Sequence, residues 1–269
     1  MKTLFDNYLG KLGIQRRKPG LQALKEIIKA HLIKIPFENI SKLFYYKNYK
    51  MKTIPDFDLY IDGIVKNNFG GTCYSNNFYL NKLLDHLGYN VRLCGADMMN
   101  PDVHIANIVT INGKEFLVDA GYAAPFLTPL PLYLARNYEI TLGDNKYILL
   151  PRDNKGRSKI QLYRDNKLSH SYKLKPQARS ISEFEKVIED SFRESATFMN
   201  TILLVRFGLN SSVVIHNFSL IKTNKTAIKK TGLKNKSELA DQITANFKIP
   251  LGIVKEAVEM VTNFKDAWD

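Results

Sequence analysis

The chain has 269 residues, 45% hydrophobic and 24% charged, the composition of a soluble globular protein large enough to bury a core without a disulfide framework. Lysine and arginine outnumber aspartate and glutamate 39 to 26, a formal net charge of +13 that speaks to solubility and nonspecific attraction, not to fold. No apolar run is long enough to span a bilayer, the start "MKTLFDNYLGKLG" has no signal-peptide pattern, and two cysteines in no zinc-ligand spacing point to reduced thiols in a cytoplasmic protein without a metal.

The first third reads as helical. "GLQALKEIIKAHL" places Leu21, Leu24, Ile28 and Leu32 on one stripe behind Pro19 and Gly20, and Pro36 of "IPFENI" breaks that helix. In "NNFGGTCYSNNFYLNKLLDHLG" the apolar residues Leu80, Leu83, Leu84 and Leu87 recur at helical spacing up to a Gly88 stop, predicting a buried helix over 73–87. From Tyr89 the pattern changes to short β-branched or aromatic runs between turn residues: "YNVRLCGADM", "HIANIVTI", "KEFLVDA", "KYILL" and "KIQLYR". These predict an antiparallel sheet or barrel. "SISEFEKVIEDSF" predicts a helix with Ser182 and Glu185 as its capping box. A strand pair, "TILLVRF" and "SVVIHNFSLI", and two helices, "KSELADQITANF" and "PLGIVKEAVEMVTNF", follow. The densest basic stretch, "IKTNKTAIKKTGLKNK" at 221–236, has no interleaved aromatics and no nucleic-acid motif. It reads as a solvated loop or hairpin, with an anion site as the alternative.

Cys73 stands between a glycine pair and the start of a helix, which is a good address for a nucleophile. A thiol attacks as thiolate, and a helix N-terminus offers a positive dipole end and free N–H groups. Gly70 and Gly71 permit a sharp turn and close substrate approach. The base must come from elsewhere, and His104 has the right neighbour. In "HIANIVTINGKEFLVDAG" the Asn112-Gly113 pair predicts a two-residue hairpin turn. Ile111 then pairs with Lys114 and Ala106 with Asp119, which puts His104 and Asp119 on one face as diagonal neighbours. Each residue alone has a plain structural reading: a core cysteine, a satisfied strand histidine, a turn-capping aspartate. Jointly they point to a Cys-His-Asp triad as strongly as to those readings. His86 is too far along the Cys73 helix to serve, and Cys94, inside a strand, reads as core.

These motifs resemble those of the arylamine N-acetyltransferase family. "HLIKIPFENI" resembles its segment ending P-F-E-N-[IL], "GGTCYSNN" its R-G-G-x-C-x-E-x-N, and "VHIANIVTINGKEFLVDAGYAAPF" the stretch carrying its histidine and its V-D-[VA]-G-F-G aspartate. The resemblance implies an α+β fold in three parts: a helical bundle over 1–88, an antiparallel β-barrel over 89–180 and an α/β lid over 181–269. It implies a papain- or transglutaminase-like triad, with Cys73 as nucleophile, His104 as base and Asp119 as orienting carboxylate. Acetyl-CoA is the implied co-substrate, and an arylamine, aryl hydrazine or hydrazide the acceptor, by ping-pong kinetics. By position, Asn100, Pro101 and Ala123 are expected to meet the cofactor, and Phe37 and Tyr122 to line the acceptor pocket. No nucleic-acid or membrane partner is expected.

Four positions depart from the family pattern. Phe69 replaces the arginine that pairs with the P-F-E-N glutamate, so Glu38 is expected to find another base, to be solvated, or to be protonated. Ser75 replaces a glutamate, Tyr122 a phenylalanine, and Ala123 a glycine, which is expected to narrow the cofactor entrance. Competing expectations are a same-fold acyltransferase or amide synthase with another donor or acceptor, a hydrolase with the same triad, and a non-catalytic homologue.

Overall fold

A computed structural model of the chain describes residues 2–225 and 227–266. Thr226 of the basic stretch, and Met1 and residues 267–269 at the ends of the first and third expected parts, lie outside the described residues. Five helices open the chain: α1 (Lys2–Leu12), α2 (Leu21–Lys34), α3 (Ile40–Tyr49), α4 (Phe57–Lys66) and α5 (Cys73–His86). A two-residue strand, β1 (Phe37–Glu38), interrupts them where Pro36 stops α2. Eight strands follow: β2 (Asn90–Asp97), β3 (His104–Ile111), β4 (Lys114–Val118), β5 (Leu130–Pro131), β6 (Tyr138–Leu142), β7 (Asn145–Leu149), β8 (Ser158–Arg164) and β9 (Lys167–Leu174). A 3-10 turn (Ile181–Phe184) runs into α6 (Glu185–Asp190) and α7 (Thr197–Asn200). Then come β10 (Leu203–Phe207), β11 (Ser212–His216), β12 (Ser219–Thr223), β13 (Ile228–Gly232), α8 (Lys236–Phe247) and α9 (Leu251–Met260). None of the described helices is long and apolar enough to cross a membrane.

The strands form an eight-stranded antiparallel sheet, ordered β5-β4-β3-β2-β9-β8-β7-β6, and a five-stranded one, ordered β1-β10-β11-β12-β13. The hairpin register read from Asn112-Gly113 is the observed one, without a bulge, from Ile111↔Lys114 to Asn107↔Val118. The capping box expected at Ser182 and Glu185 sits two residues earlier, at Ser180 and Glu183. The helix begins there with a 3-10 turn, so its first free N–H groups come sooner than the apolar spacing indicates. "SVVIHNFSLI" is two strands, because Asn217 adopts a left-handed φ of 49° and turns the chain back. The basic stretch contains β13, an exposed strand at the edge of its sheet.

Two contacts tie the N-terminal third to the C-terminal segment. Phe37 and Glu38 pair with Val205 and Leu204. The buried Asn39 amide then donates to Phe198 O (3.0 Å) and Thr201 O (2.6 Å), while its carbonyl accepts from Leu203 N (2.9 Å). Helix α5 is held by Leu80, Leu83 and Leu84, all fully buried, each contributing roughly 1.5–3 kcal/mol by the transfer of apolar surface from water. Its first residue is thereby fixed against β2 and β3.

His31, in the last turn of α2, is fully buried, with the Tyr8 hydroxyl 3.2 Å from Nδ1. Burial pulls its pKa down to about 4. Between that value and the ordinary 6.5 the unfolded chain binds more protons than the folded one, so stability falls as pH drops through this window, by up to about 3 kcal/mol. Melting temperatures measured from pH 7 to pH 4 are expected to show this loss, and His31→Asn, which carries no titrating group there, is expected to flatten it.

Candidate active site

The site begins where Thr72 caps α5 and Cys73 is its first residue. Gly71 makes the turn with φ 120°, a conformation that side chains resist. A Cβ on Gly121 would lie 2.5 Å from Cys73 Cα, so only glycine lets the chain after Asp119 pass this close to the Cys73 backbone. The first-turn N–H groups of α5 have no intrahelical acceptor. Cys73 itself is 7% exposed. It belongs to a hydrophobic cluster with Tyr74, Leu93, Ile105, Phe184, Ile188 and Phe192.

His104 opens β3, and Asp119 lies one residue past the end of β4. Asp119 Oδ2 is 2.8 Å from His104 Nε2 and accepts from the Tyr172 hydroxyl at 2.8 Å, while Oδ1 accepts from Asn77 Nδ2 and Gly121 N, both at 2.9 Å. Both residues are buried. Burial pushes the Asp119 pKa up, but the His104 charge and these hydrogen bonds outweigh it and hold it below the usual carboxylate range. For His104, burial opposes charging, and Asp119 and Cys73 overcome it, so the imidazolium is favoured well above the ordinary histidine range. With Nε2 on Asp119, Nδ1 is the nitrogen left to serve Cys73.

The structure therefore brings Cys73, His104 and Asp119 together, as the register argument and the resemblance expect. Asn77 and Tyr172 complete the cluster and were not singled out from the sequence. Asn77 is four residues after Cys73, on the same face of α5. Besides Asp119 its amide donates to Ile105 O (2.6 Å), and its carbonyl accepts from Ala120 N (2.8 Å). That i+4 spacing was a usable signal. Tyr172 comes from β9, far along the chain, and nothing local marks it.

The other expected positions distribute as follows. Asn100 and Pro101 are exposed on the β2–β3 loop. That loop runs beside Cys73: the Tyr74 hydroxyl donates to Asp102 O (3.0 Å), and Cys73 Sγ lies 3.9 Å from Val103 O. Ala123 adopts a left-handed φ of 58°, which costs a residue with a Cβ about 1–2 kcal/mol and accounts for glycine in the family pattern. Phe37 packs edge-on against Phe198 with ring centroids 5.6 Å apart. The Tyr122 ring lies 5.8 Å from His104, its hydroxyl 2.9 Å from His170 Nδ1. Cys94 is fully buried, and burial pushes its thiol up to about 11.

Glu38 is buried without an arginine. Its oxygens accept from Ser41 N (2.8 Å), Ser41 Oγ (2.6 Å) and Gly70 N (3.0 Å), and no lysine or arginine among the described residues pairs with it. Burial raises its pKa, and the hydrogen bonds oppose that rise. The N-terminus of α3 thus takes over what a cation would do. Phe69 turns instead into the core against Tyr45, with centroids 5.7 Å apart.

Comparison with known proteins bears on the family and the fold. The chain is 33% identical over 126 residues to the arylamine N-acetyltransferase, pineal gland isozyme NAT-3, of Gallus gallus, covering 44% of this chain and 41% of that protein. It is 31% identical over 135 residues to the N-malonyltransferase FDB2 of Fusarium pseudograminearum, covering 43% and 38%. The chain thus spans well under two thirds of the length of the curated relatives it matches. The solved structure of the Mycobacterium marinum arylamine N-acetyltransferase in complex with CoA shares the fold, with a TM-score of 0.80 over 96% of this chain and 99% of that one at 20% identity. The family model described as N-acetyltransferase matches residues 20–257, nearly the whole chain, and on that match the chain belongs to the N-acetyltransferase family that its arylamine N-acetyltransferase relatives share.

Proposed function

We propose that the protein is a ping-pong N-acetyltransferase that carries the acetyl group of acetyl-CoA on Cys73 and passes it to an arylamine, aryl hydrazine or hydrazide. The observation that carries this reading is the buried His104–Asp119 pair, 2.8 Å apart, facing the first residue of α5. His104 takes the thiol proton. Cys73 sulfur attacks the thioester carbonyl, and CoA leaves with the proton held by His104. In the second half the amine attacks the acetyl-cysteine, His104 accepts its proton, and the thiol is regenerated. The first-turn N–H groups of α5 are placed to receive the oxyanion of both steps. Asn100, Pro101 and Ala123 are assigned to the CoA approach, and Phe37 and Tyr122 to the acceptor. A second reading, with a different acyl donor, is favoured by the likeness to an N-malonyltransferase.

Intact mass after incubation with acetyl-CoA alone is expected to show one acetyl adduct, absent in Cys73→Ala. An unlabelled thiol that still reacts with a small alkylating agent would refute acetyl transfer and leave the fold. Asn77→Ala strips partners from Asp119, Ile105 O and Ala120 N at once, all of them buried. It is expected to lower stability by roughly 2–4 kcal/mol in a denaturant titration. It is also expected to slow acetyl labelling of the molecules that remain folded, because the His104 ring loses its fixed partner.

A further inference from the structure

Lys42, on α3, has no part in the chemistry above, yet it stands beside it. Its Nζ donates to Ser191 Oγ at 2.6 Å and lies 3.8 Å from the centroid of the Phe192 ring. No carboxylate among the described residues pairs with it. It borders a small pocket that opens to solvent. Thr72 and Ser75, from the first turn of α5, line the same pocket, as do Ile54, Ile188 and Ser191. Ile188 and Phe192 also belong to the hydrophobic cluster that contains Cys73, and the pocket is lined by Thr72 and Tyr74, the residues on either side of that cysteine. A partly buried ammonium without a carboxylate partner is an arrangement that a bound anion improves. Burial lowers the Lys42 pKa to about 7, with Cys73 acting the other way. Ser75, in place of the family's glutamate, removes a negative charge that would otherwise face such an anion.

We propose that Lys42 and Ser191 hold the terminal carboxylate of a short dicarboxylic acyl group, of the malonyl or succinyl type, delivered as its CoA thioester. The pocket is then the far end of the acyl site, with Ile54 and Ile188 beside the methylene carbons. The inference rests on Cys73 as acyl carrier and adds a donor class to acetyl. Bond changes are those of the first half-reaction: the C–S bond to CoA breaks, a C–S bond to Cys73 forms, and the thiol proton passes through His104 to the CoA sulfur. The carboxylate is unchanged throughout.

The test is the rate of Cys73 adduct formation by intact mass with acetyl-, malonyl- and succinyl-CoA, for the wild type, Lys42→Met and Lys42→Arg. Each variant is read as the ratio of carboxylated to acetyl labelling, which cancels any inactive fraction. The wild type is expected to favour at least one carboxylated donor over acetyl. Lys42→Met is expected to lower that ratio by about tenfold or more, and Lys42→Arg, which keeps the charge, to retain most of it. A ratio unchanged in Lys42→Met overturns the proposal. So does an equal fall with all three donors, the mark of a lysine that holds a CoA phosphate or only the fold. No Cys73-dependent adduct from any donor would instead overturn the acyl-transfer reading beneath it.

Discussion

The site depends on one buried carboxylate. Asp119 receives four hydrogen bonds, from β3 through His104, from β9 through Tyr172, from α5 through Asn77, and from the backbone of Gly121. A carboxylate out of water is costly unless its lone pairs are filled. Here they are filled by groups that belong to three separate elements. The same bonds that satisfy Asp119 set the distance between the helix carrying the thiol and the strand carrying the imidazole. Position and charge are therefore one problem with one solution, and displacing any donor alters both.

Much of this was legible in the sequence, and the reason is locality. The Asn112-Gly113 turn sets a register in which His104 and Asp119 must meet, because strand side chains alternate faces and the turn has only two residues. The glycine pair and the leucine spacing place Cys73 at a helix start for equally local reasons. What escaped depends on contacts between distant segments. Tyr172 reaches Asp119 from 53 residues away. The pairing of Phe37–Glu38 with β10 joins residues more than 160 apart, and a two-residue strand has no period to read. The 181–190 helix starts two residues earlier than expected because Ser180–Glu183 and Ser182–Glu185 both fit the capping pattern, and the chain uses the first.

The departures from the family pattern form a connected set. Without an arginine at position 69, Glu38 relies on neutral donors at the N-terminus of α3. Phe69 then joins Tyr45 in a hydrophobic cluster with Ile40 and Leu43 of α3. One turn further along α3, Lys42 supplies a positive charge on the side where α5 begins. A basic group thus stands near the start of α5 on α3, beside a pocket, while position 69 of the glycine loop holds a buried phenylalanine.

The burial of Cys73 bears on water as well as on binding. A thioester in water has two fates, capture by an amine or hydrolysis. Cys73 is only 7% exposed, behind Phe184, Ile188 and Phe192, so bulk water meets the sulfur only rarely. On the proposed function, an acyl group carried by Cys73 sits where water is scarce, so the fold that buries the thiol also favours capture by an amine over hydrolysis.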